Sequence, residues 1–362
     1  MNIAFCKFAG LAAGGIEKYL QSLAILLKDA GHDIDFYYTN AAPIRNTTWV
    51  HPDNDEKRIA LMSRHGINTI KVNVGYRIHN TWYDTNFFSV FDEDKYDCLI
   101  TAGNGEPEYP YTHLKNIPIL HSVHGDHVFD QENILKSLLI CDWQAQRWLQ
   151  NGGSKDKLEI IPNIVSIPSE FPKDFREQHG IPKDAFVFGM HQRNDPTIFS
   201  AASLEAFRHL DCGNAYYALL GGSRLHREYV SGWDLSKKSK VLFLDFTSDP
   251  LVIHSFLDAL DVYAHCRRDG EVSSAAIVEA LYHGKPVITC PGINNGHFDQ
   301  VRSCGFFCNT LEEYTDSMRT LQTDQKKYKY MSELTSVEYN KTYAYDSIKS
   351  RTLGLLEETI AP

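Results

Sequence analysis

The sequence predicts an α/β protein made of two doubly wound, Rossmann-like domains that face each other across a cleft. Both halves alternate short apolar runs with helical segments, and a segment with several prolines, residues 164–181, separates them. The chain of 362 residues also exceeds one ordinary hydrophobic core. We therefore predict an N-terminal domain over 1–165 and a C-terminal domain over 166–344. The last helix, within 345–362, is expected to pack back on the first domain.

The first half opens with a strand, a glycine-rich turn and a helix. Asn2 to Phe8 is an apolar run, and the turn from Gly10 to Gly15 precedes apolar residues at helical spacing from Ile16 to Ala30. The turn lacks the Gly-x-Gly-x-x-Gly spacing of dinucleotide-binding proteins. The adjacent Gly14 and Gly15 would still let the backbone approach a ligand closely. A simple packing turn is the alternative.

The rest of the first half continues the alternation. Strands are predicted at 33–38, 69–74, 96–101, 117–123, 137–141 and 158–163, and helices at 56–65 and 143–150. The aromatic segment 76–91 interrupts this pattern. It is either an ordinary surface insertion or an excursion that lines an acceptor-binding cleft.

A group of histidines follows the strand predicted at 117–123. The spacing of His121, His124 and His127, with Asp126 among them, suggests a zinc site. Along a strand, however, His121 and His124 point to opposite faces, which disfavours a shared metal. We interpret His124 as a polar group at the mouth of the cleft that hydrogen-bonds a substrate hydroxyl. A buried histidine with satisfied hydrogen bonds is the alternative.

The second half repeats the alternation. Strands are predicted at 185–190, 215–220, 240–244 and 261–266, with another after residue 285, and helices at 198–210, 225–229, 250–260, 311–321, 325–338 and 345–358. Strands separated by helices in this way indicate a parallel sheet that is covered on both faces.

Two carboxylates stand out in the second half. Glu271 and Glu279 have seven residues between them, the first in a glycine-containing loop and the second in a helix that Ser273 or Ser274 can cap. The first turn of such a helix attracts anions. The spacing therefore suggests two hydroxyl acceptors on either side of a bound phosphate, as in a sugar and a ribose. The alternative is an amphipathic surface helix with a solvated glutamate at each end.

Composition excludes several classes of protein. A formal net charge of −10 argues against general nucleic-acid binding and against a polybasic membrane patch. No run approaches the roughly 20 apolar residues that span a bilayer. Because residues 1–5 enter a strand directly, we expect a cytoplasmic chain without a signal segment. The eight cysteines are expected to be reduced and mostly buried.

Several motifs occur together in a fixed order. They are Gly14-Gly15-Ile16-Glu17, His124, Ile160-Ile161-Pro162-Asn163, Gly189 to Arg193, Asp261-Val262-Tyr263, Glu271 with Glu279, and Gly284-Lys285-Pro286-Val287-Ile288. In this order the sequence resembles a retaining glycosyltransferase of family 4 with the GT-B fold, over nearly its whole length.

The resemblance implies a role for each matching residue. It assigns His124, Glu271 and Arg193 to catalysis and Gly14, Gly15, Ser273, Ser274, Ala275 and Glu279 to donor binding. In this assignment Arg193 neutralises the donor diphosphate and Gly15 approaches it. Glu271 holds the donor sugar, Glu279 holds the ribose, and the backbone at Ser274 and Ala275 meets the phosphate.

The implied function is transfer of a hexose or pentose from a UDP-sugar or GDP-sugar to a hydroxyl of a glycan, glycolipid or protein-linked glycan. The family most often serves surface polysaccharide or glycoconjugate synthesis. The resemblance implies no metal, no other cofactor and no nucleic-acid partner. Peripheral contact with the inner face of a membrane is common in the family, although this acidic chain shows no basic anchor.

Two departures from the family pattern leave details open. The family usually has a lysine soon after the position of Arg193, and this chain lacks it; Arg224, Arg267 or Arg268 could replace its charge. The usual Gly-Phe-Gly after the first glutamate is Val272-Ser273-Ser274 here, so the donor sugar stays open. A nucleotide-sugar epimerase, a sugar phosphorylase and a non-catalytic nucleotide-sugar binding protein remain alternatives.

Overall fold

The chain divides into two compact units in the computed structural model. The first comprises Met1–Ile164 with Ala344–Pro362, and the second comprises Val165–Tyr343. The structure describes residues 1–12, 14–39, 44–45, 56–105, 107–125, 128, 131–211 and 213–360.

The first unit is built on a parallel sheet. Its strands are β1 (Asn2–Lys7), β2 (Asp33–Thr39), β3 (Ile44–Arg45), β4 (Asn68–Val72), β5 (Tyr76–Ile78), β6 (Thr81–Tyr83), β7 (Cys98–Gly103), β8 (Ile119–Val123), β9 (Ile134–Leu139) and β10 (Leu158–Ile160). Its helices before the second unit are α1 (Gly15–Asp29), α2 (Glu56–Arg64), α3 (Phe87–Val90) and α4 (Asp142–Gln150). Seven of these described strands form the sheet in the order β10-β9-β8-β7-β1-β2-β4, and β3, β5 and β6 form a small separate sheet.

The apolar runs become central strands because helices cover both faces of this sheet. Ile3, Ala4 and Phe5 of β1 are completely buried. Helix α1 turns the apolar residues Leu20 and Leu23 inward, and they are buried as well. A strand that is buried on both sides has no polar face, which explains the continuous apolar sequence.

The second unit repeats this design. Its strands are β11 (Phe186–Gln192), β12 (Ala215–Gly221), β13 (Val241–Leu244), β14 (Val262–Ala264), β15 (Gly270–Glu271), β16 (Val287–Thr289), β17 (Asn294–Asn295) and β18 (Gly305–Phe307). Its helices are α5 (Phe175–Gln178), α6 (Ala202–His209), α7 (Arg224–Ser231), α8 (Leu235–Lys238), α9 (Pro250–Ala259), α10 (Ala275–Tyr282), α11 (His297–Val301), α12 (Leu311–Thr323) and α13 (Gln325–Glu338). Six of the described strands form a parallel sheet in the order β13-β12-β11-β14-β16-β18, and β15 pairs with β17.

Each sheet has one point where the strand order reverses. In the first sheet β1 lies between β2 and β7, and in the second β11 lies between β12 and β14. Connections leave such a point in opposite directions, which opens a crevice at the carboxyl ends of the two strands where open α/β sheets bind ligands.

The C-terminal helix α14 (Tyr345–Thr359) is part of the first unit. The hydroxyl of Tyr345 donates a hydrogen bond of 3.0 Å to Asp29 Oδ2. Arg351 Nη1 donates to the carbonyl of Ile160 at 3.2 Å.

The predicted fold class of two doubly wound parallel sheets is confirmed, with local differences. The surface-insertion interpretation of 76–91 is wrong, because Trp82 is 2% exposed and Phe87 is completely buried in the core of the first unit. The helix expected over 198–210 begins only at Ala202, after a 3₁₀ turn over Pro196–Ile198. The short elements α11 and β18 were not predicted. In the described part of the chain, no helix combines the length and apolarity needed to cross a bilayer.

The cysteines are placed as small apolar side chains. Six of those in the described residues are buried, and none of the described cysteines forms a disulfide. Burial raises the pKa of Cys98 to about 12, so its thiol stays protonated at neutral pH.

Candidate functional site

The carboxylate of Glu271 is held by two side chains of its own loop. His265 Nε2 lies 2.8 Å from Glu271 Oε2, and Arg267 Nη1 donates to Oε1 at 2.7 Å. Gly270 precedes Glu271 with φ +59°, and a Cβ there would lie 1.8 Å from the carbonyl oxygen of Asn294. Only glycine fits this turn, so the backbone fixes where the Glu271 side chain starts.

Electrostatics keep this carboxylate ionised. Burial alone would raise its pKa, but the hydrogen bond from His265 and the charge of Arg267 lower the pKa of Glu271 to about 2. Arg267 also donates to both oxygens of Asp269, at 3.0 and 2.6 Å. Burial opposes the guanidinium charge, yet the carboxylates of Glu271 and Asp269 raise the pKa of Arg267. Glu271 is therefore a fixed anion at neutral pH.

Glu279 is held in a similar way by a histidine from another strand. It lies on α10, and its Oε2 is 2.9 Å from Nε2 of His191 near the end of β11. The Glu271 and Glu279 side chains are only 16% and 21% exposed. The alternative of a surface helix with two solvated glutamates is therefore wrong.

A row of rings connects the two glutamates. The ring of Tyr263 on β14 lies between His191 and His265, with ring centroids 5.7 and 6.2 Å away. Its hydroxyl donates to the carbonyl of His191 at 3.2 Å. Both glutamates thus belong to the reversal point between β11 and β14, where a ligand is expected.

The start of α10 differs in detail from the sequence-based expectation. Ser274 caps the helix, because its Oγ accepts from the amide of Ile277 at 3.3 Å. The amide of Ser274 itself donates to Oε1 of Gln300 at 2.8 Å, and Gln300 Nε2 donates back to the Ser274 carbonyl at 3.0 Å. The Ser274 amide is thus already paired. Within the described residues, the amides of Ala275 and Ala276 have no protein acceptor, and Ala275 is exposed.

Arg193 follows β11 and pairs with a neighbour. Its Nε and Nη2 both lie 3.0 Å from Oδ2 of Asp195, and the Arg193 side chain is 59% exposed. Hydrogen bonds from Thr197, with that of Arg193, lower the pKa of Asp195, so this partner is ionised.

Three arginines could replace the charge of the lysine that the family usually has after the position of Arg193, and they lie in different surroundings. Arg224 is 86% exposed on α7 and pairs with Glu228 at 2.9 Å. Arg267 is engaged by Asp269 and Glu271. Arg268 is exposed, and its backbone amide donates to the carbonyl of Ile198 at 3.2 Å, which ties it to the segment that follows Arg193.

In the first unit, Gly14 and Gly15 begin α1. Gly14 is the N-cap residue, and a Cβ on it would lie 1.9 Å from Oε2 of Glu17, which pairs with the buried Lys7 at 2.9 Å. A Cβ on the exposed Gly15 would meet nothing within 4 Å. Packing against Glu17 therefore explains the glycine at position 14. At position 15 the fold leaves room for a side chain and does not require glycine.

His124 follows β8 in a loop whose backbone is fixed. Its amide donates to the carbonyl of Gly103 at 2.9 Å, and its Nε2 lies 3.1 Å from Ser122 Oγ. Gln144 donates to the carbonyls on both sides, those of Val123 and Gly125. Burial, with the nearby charge of Lys7, lowers the pKa of His124 to about 3, so the ring is neutral at physiological pH.

The neighbouring His121 is a core residue. Its ring nitrogens face Thr101 Oγ1 at 2.7 Å and the Gly105 carbonyl at 2.8 Å. Asp126 and His127 lie outside the described residues. Among the described side chains, no group of three or more histidine, cysteine, aspartate or glutamate residues is arranged to hold a metal ion.

The histidine partners of the two glutamates were not predicted from the sequence. His191 stands at the end of one apolar run and His265 at the end of another, and both runs were predicted as strands. A histidine that ends a parallel strand is a usable signal for the ligand-binding edge of the sheet. The pairing itself depends on which strands become neighbours, which the sequence did not reveal.

The fold is similar to that of several solved glycosyltransferases. A glycosyltransferase of Rickettsia africae has 17% identity and a TM-score of 0.74 over 99% of this chain and 98% of its own. HepE of Anabaena, solved with UDP, has 17% identity and a TM-score of 0.73 over 99% of this chain and 100% of its own; its UDP-glucose complex gives 0.69 with the same identity and coverage. WaaG, a glycosyltransferase involved in lipopolysaccharide biosynthesis, has 15% identity and a TM-score of 0.65 over 99% and 100%. The chain thus has the GT-B glycosyltransferase fold.

Part of the sequence matches a known family. Residues 172–336 match the family described as glycosyl transferases group 1. The matched segment lies within the second unit and carries Arg193, Glu271 and Glu279. No curated protein sequence matches the chain.

Proposed function

We propose that the chain is a retaining glycosyltransferase of family 4 that moves a hexose or pentose from a UDP-sugar or GDP-sugar to an acceptor hydroxyl. The observation that carries this proposal is the pair of histidine-held carboxylates, Glu271 and Glu279, at the β11–β14 reversal point. They flank the exposed start of α10 in the segment that matches the group 1 glycosyltransferases.

The donor contacts follow from what each group can offer. Carboxylate oxygens accept hydrogen bonds from hydroxyl groups, so Glu271 binds the transferred sugar and Glu279 the ribose. The amides of Ala275 and Ala276 meet the phosphate at the positive end of α10, while Ser274 caps the helix and Ser273 lies beside it. The family resemblance places the phosphate contact at the backbone of Ser274 and Ala275. Because the Ser274 amide is already paired with Gln300, we propose that the contact is made by the amides of Ala275 and Ala276 instead.

Arg193 supplies one fixed cation for the diphosphate, and Arg268 supplies the second. Of the three candidate arginines, Arg268 is the one anchored to the segment after Arg193 without being engaged by the Glu271 loop. Forked guanidinium groups suit phosphate oxygens. These cations and the helix start stabilise charge on the departing diphosphate, and we propose that transfer needs no metal.

The proposed chemistry keeps the anomeric configuration of the sugar. The bond between the anomeric carbon and the diphosphate oxygen breaks, and its electron pair leaves with the diphosphate. The acceptor oxygen forms the new bond on the same face, and its proton passes to the departing phosphate. His124, neutral at physiological pH, hydrogen-bonds the transferred sugar and supplies no proton.

We also propose a donor to test first, a class of acceptor and a cellular location. HepE was solved with UDP-glucose, which makes this the first donor to test. WaaG acts in lipopolysaccharide biosynthesis, which supports a glycan or glycolipid acceptor in surface polysaccharide synthesis. We propose a cytoplasmic enzyme, with peripheral contact at the inner membrane face where the acceptor is lipid-linked.

A thermal-shift screen of nucleoside diphosphate sugars tests the donor site. A ligand at about 100 times its dissociation constant stabilises a protein by about 2.7 kcal/mol, so the matching donor is expected to raise the melting temperature by a few degrees. Glu279→Gln is expected to reduce this shift, whereas the exposed control Glu333→Gln keeps it. The absence of a shift with every nucleotide and nucleotide sugar contradicts the proposal.

The substitution Gly15→Ala distinguishes an effect on stability from an effect on donor binding. A methyl group at this helical position meets nothing within 4 Å, so the melting temperature is expected to stay the same or rise slightly. If the backbone at Gly15 contacts the donor diphosphate, the same methyl group raises KM for the donor about tenfold or more. Initial-rate kinetics with varied donor measure this effect, and an unchanged KM removes Gly15 from the donor site.

A further inference from the structure

We propose that His265 is the positioning residue of Glu271, and that Thr289 fixes His265 in the tautomer that can do this. The inference rests on the proposed role of Glu271 as the ligand of the transferred sugar. It assigns to two buried side chains a function that the sequence motifs do not contain.

Both ring nitrogens of His265 have a partner. Nε2 lies 2.8 Å from Glu271 Oε2, and Nδ1 lies 3.0 Å from Thr289 Oγ1. An ionised carboxylate only accepts hydrogen bonds, so Nε2 must carry the proton. In its neutral form the ring has only this one N–H group, so Nδ1 then accepts from the hydroxyl of Thr289. The threonine hydroxyl thus selects the tautomer of the neutral ring.

The framework around this chain of hydrogen bonds is fixed. His265 is 3% exposed, and Thr289, at the end of β16, is completely buried. The His265 amide donates to the carbonyl of Ile288 at 2.8 Å, and the hydroxyl of Tyr314 lies 3.1 Å from the carbonyls of both His265 and Ile288. Because β14 and β16 are neighbouring strands, the sheet itself sets the distance between His265 and Thr289.

Three other side chains contact Glu271 besides His265, and each makes a different contact. Arg267 holds Oε1 and is partly neutralised by Asp269, and Ser274 is a further hydrogen-bond partner. His297 Nδ1 lies 3.3 Å from the backbone carbonyl of Glu271, not from its carboxylate, and burial lowers the pKa of His297 to about 4.

Without the N–H group of His265, Oε2 loses its fixed donor and the carboxylate can rotate about the contact with Arg267. A carboxylate has about four lone-pair sites; His265 and Arg267 use one on each oxygen, and Ser274 is a third partner. The remaining site accepts a sugar hydroxyl. The consequence of losing His265 is therefore a misplaced acceptor for the sugar, with the nucleotide contacts intact.

Matched substitutions at His265 test this role. His265→Leu removes the donor, whereas His265→Gln keeps an N–H group toward Glu271 and an oxygen toward Thr289. We expect His265→Leu to lower kcat about 10- to 100-fold and His265→Gln to keep most of it. Binding of the nucleoside diphosphate without sugar, measured by calorimetry, is expected to stay within about twofold.

The pH profile provides a readout that a purely structural role does not move. The donor from His265 lowers the pKa of Glu271, so its loss shifts the acid limb of kcat/KM to higher pH. A wild-type kcat and acid limb in folded His265→Leu overturn the proposal. An equal loss of kcat in His265→Leu and His265→Gln, without a shift of the acid limb of kcat/KM, also overturns the proposal.

A second pair of variants covers the case in which His265→Leu does not fold. Thr289→Val removes the hydroxyl, and Thr289→Ser restores it. In the wild-type protein, nitrogen NMR is expected to show His265 protonated at Nε2 and unprotonated at Nδ1; Thr289→Val loses this pattern and Thr289→Ser keeps it. The opposite tautomer in the wild-type protein overturns the proposal. Failure of the wild-type protein to transfer any sugar refutes the proposed function instead.

Discussion

Replacing Glu271 by alanine or glutamine is expected to lower kcat/KM about a hundredfold or more, the scale of losing one preorganised group at a reaction centre. The substitution removes an anion that two side chains hold in place, and with it the acceptor for the sugar hydroxyl. Initial-rate assays of sugar transfer measure the loss.

Glu333→Gln is the matched control for Glu271, because it makes the same chemical change at an exposed position on α13. It is expected to transfer sugar at the wild-type rate. Near-normal turnover in a folded Glu271 variant rejects the role of this residue. A melting temperature close to that of the wild-type protein shows that the variant is folded.

Replacing Arg193 by alanine is expected to have an effect of similar size, about a hundredfold on kcat/KM. The guanidinium stabilises charge that grows on the diphosphate as it leaves, so the variant loses stabilisation in the transition state. Weaker product inhibition by the nucleoside diphosphate is expected together with the slower transfer. Inhibition constants and initial rates measure the two effects.

Arg224→Ala is the control for Arg193, since it removes an arginine that pairs with Glu228 on an exposed helix. We expect it to leave transfer unchanged. Arg268→Ala is expected to change transfer in the same direction as Arg193→Ala, because we assign it the second diphosphate contact. An Arg193→Ala variant with normal rate and normal product inhibition contradicts the assignment of that residue.

The two sheets were predictable because long apolar runs alternate with helical spacing throughout the chain. Short elements were harder to predict. Strand β18 has only three residues, Gly305–Phe307, which is too short for a periodic pattern that would mark it as a strand. The sequence left two interpretations open for segment 76–91, because aromatic residues occur both in surface insertions and in a core. The burial of Trp82 and Phe87 decides between these cases.

The candidate site was predictable where its signal is local. Glu271 and Glu279 lie on one continuous stretch, and their spacing together with the serines suggested a phosphate between two hydroxyl ligands. The contacts of His191 with Glu279 and of Ser274 with Gln300 join residues 88 and 26 positions apart. Such pairs depend on strand order and helix packing, so no local pattern contains them.

The most direct test of group 1 sugar transfer by this chain follows a donor labelled at the anomeric carbon by NMR. The donor is the nucleotide sugar that stabilises the protein, and glycan acceptors are added separately. We predict acceptor-dependent release of the nucleoside diphosphate and a product with the anomeric configuration of the donor. Conversion of the donor to an isomer without acceptor, or release of sugar only with inorganic phosphate, contradicts the account; so does donor binding without turnover across the whole acceptor panel.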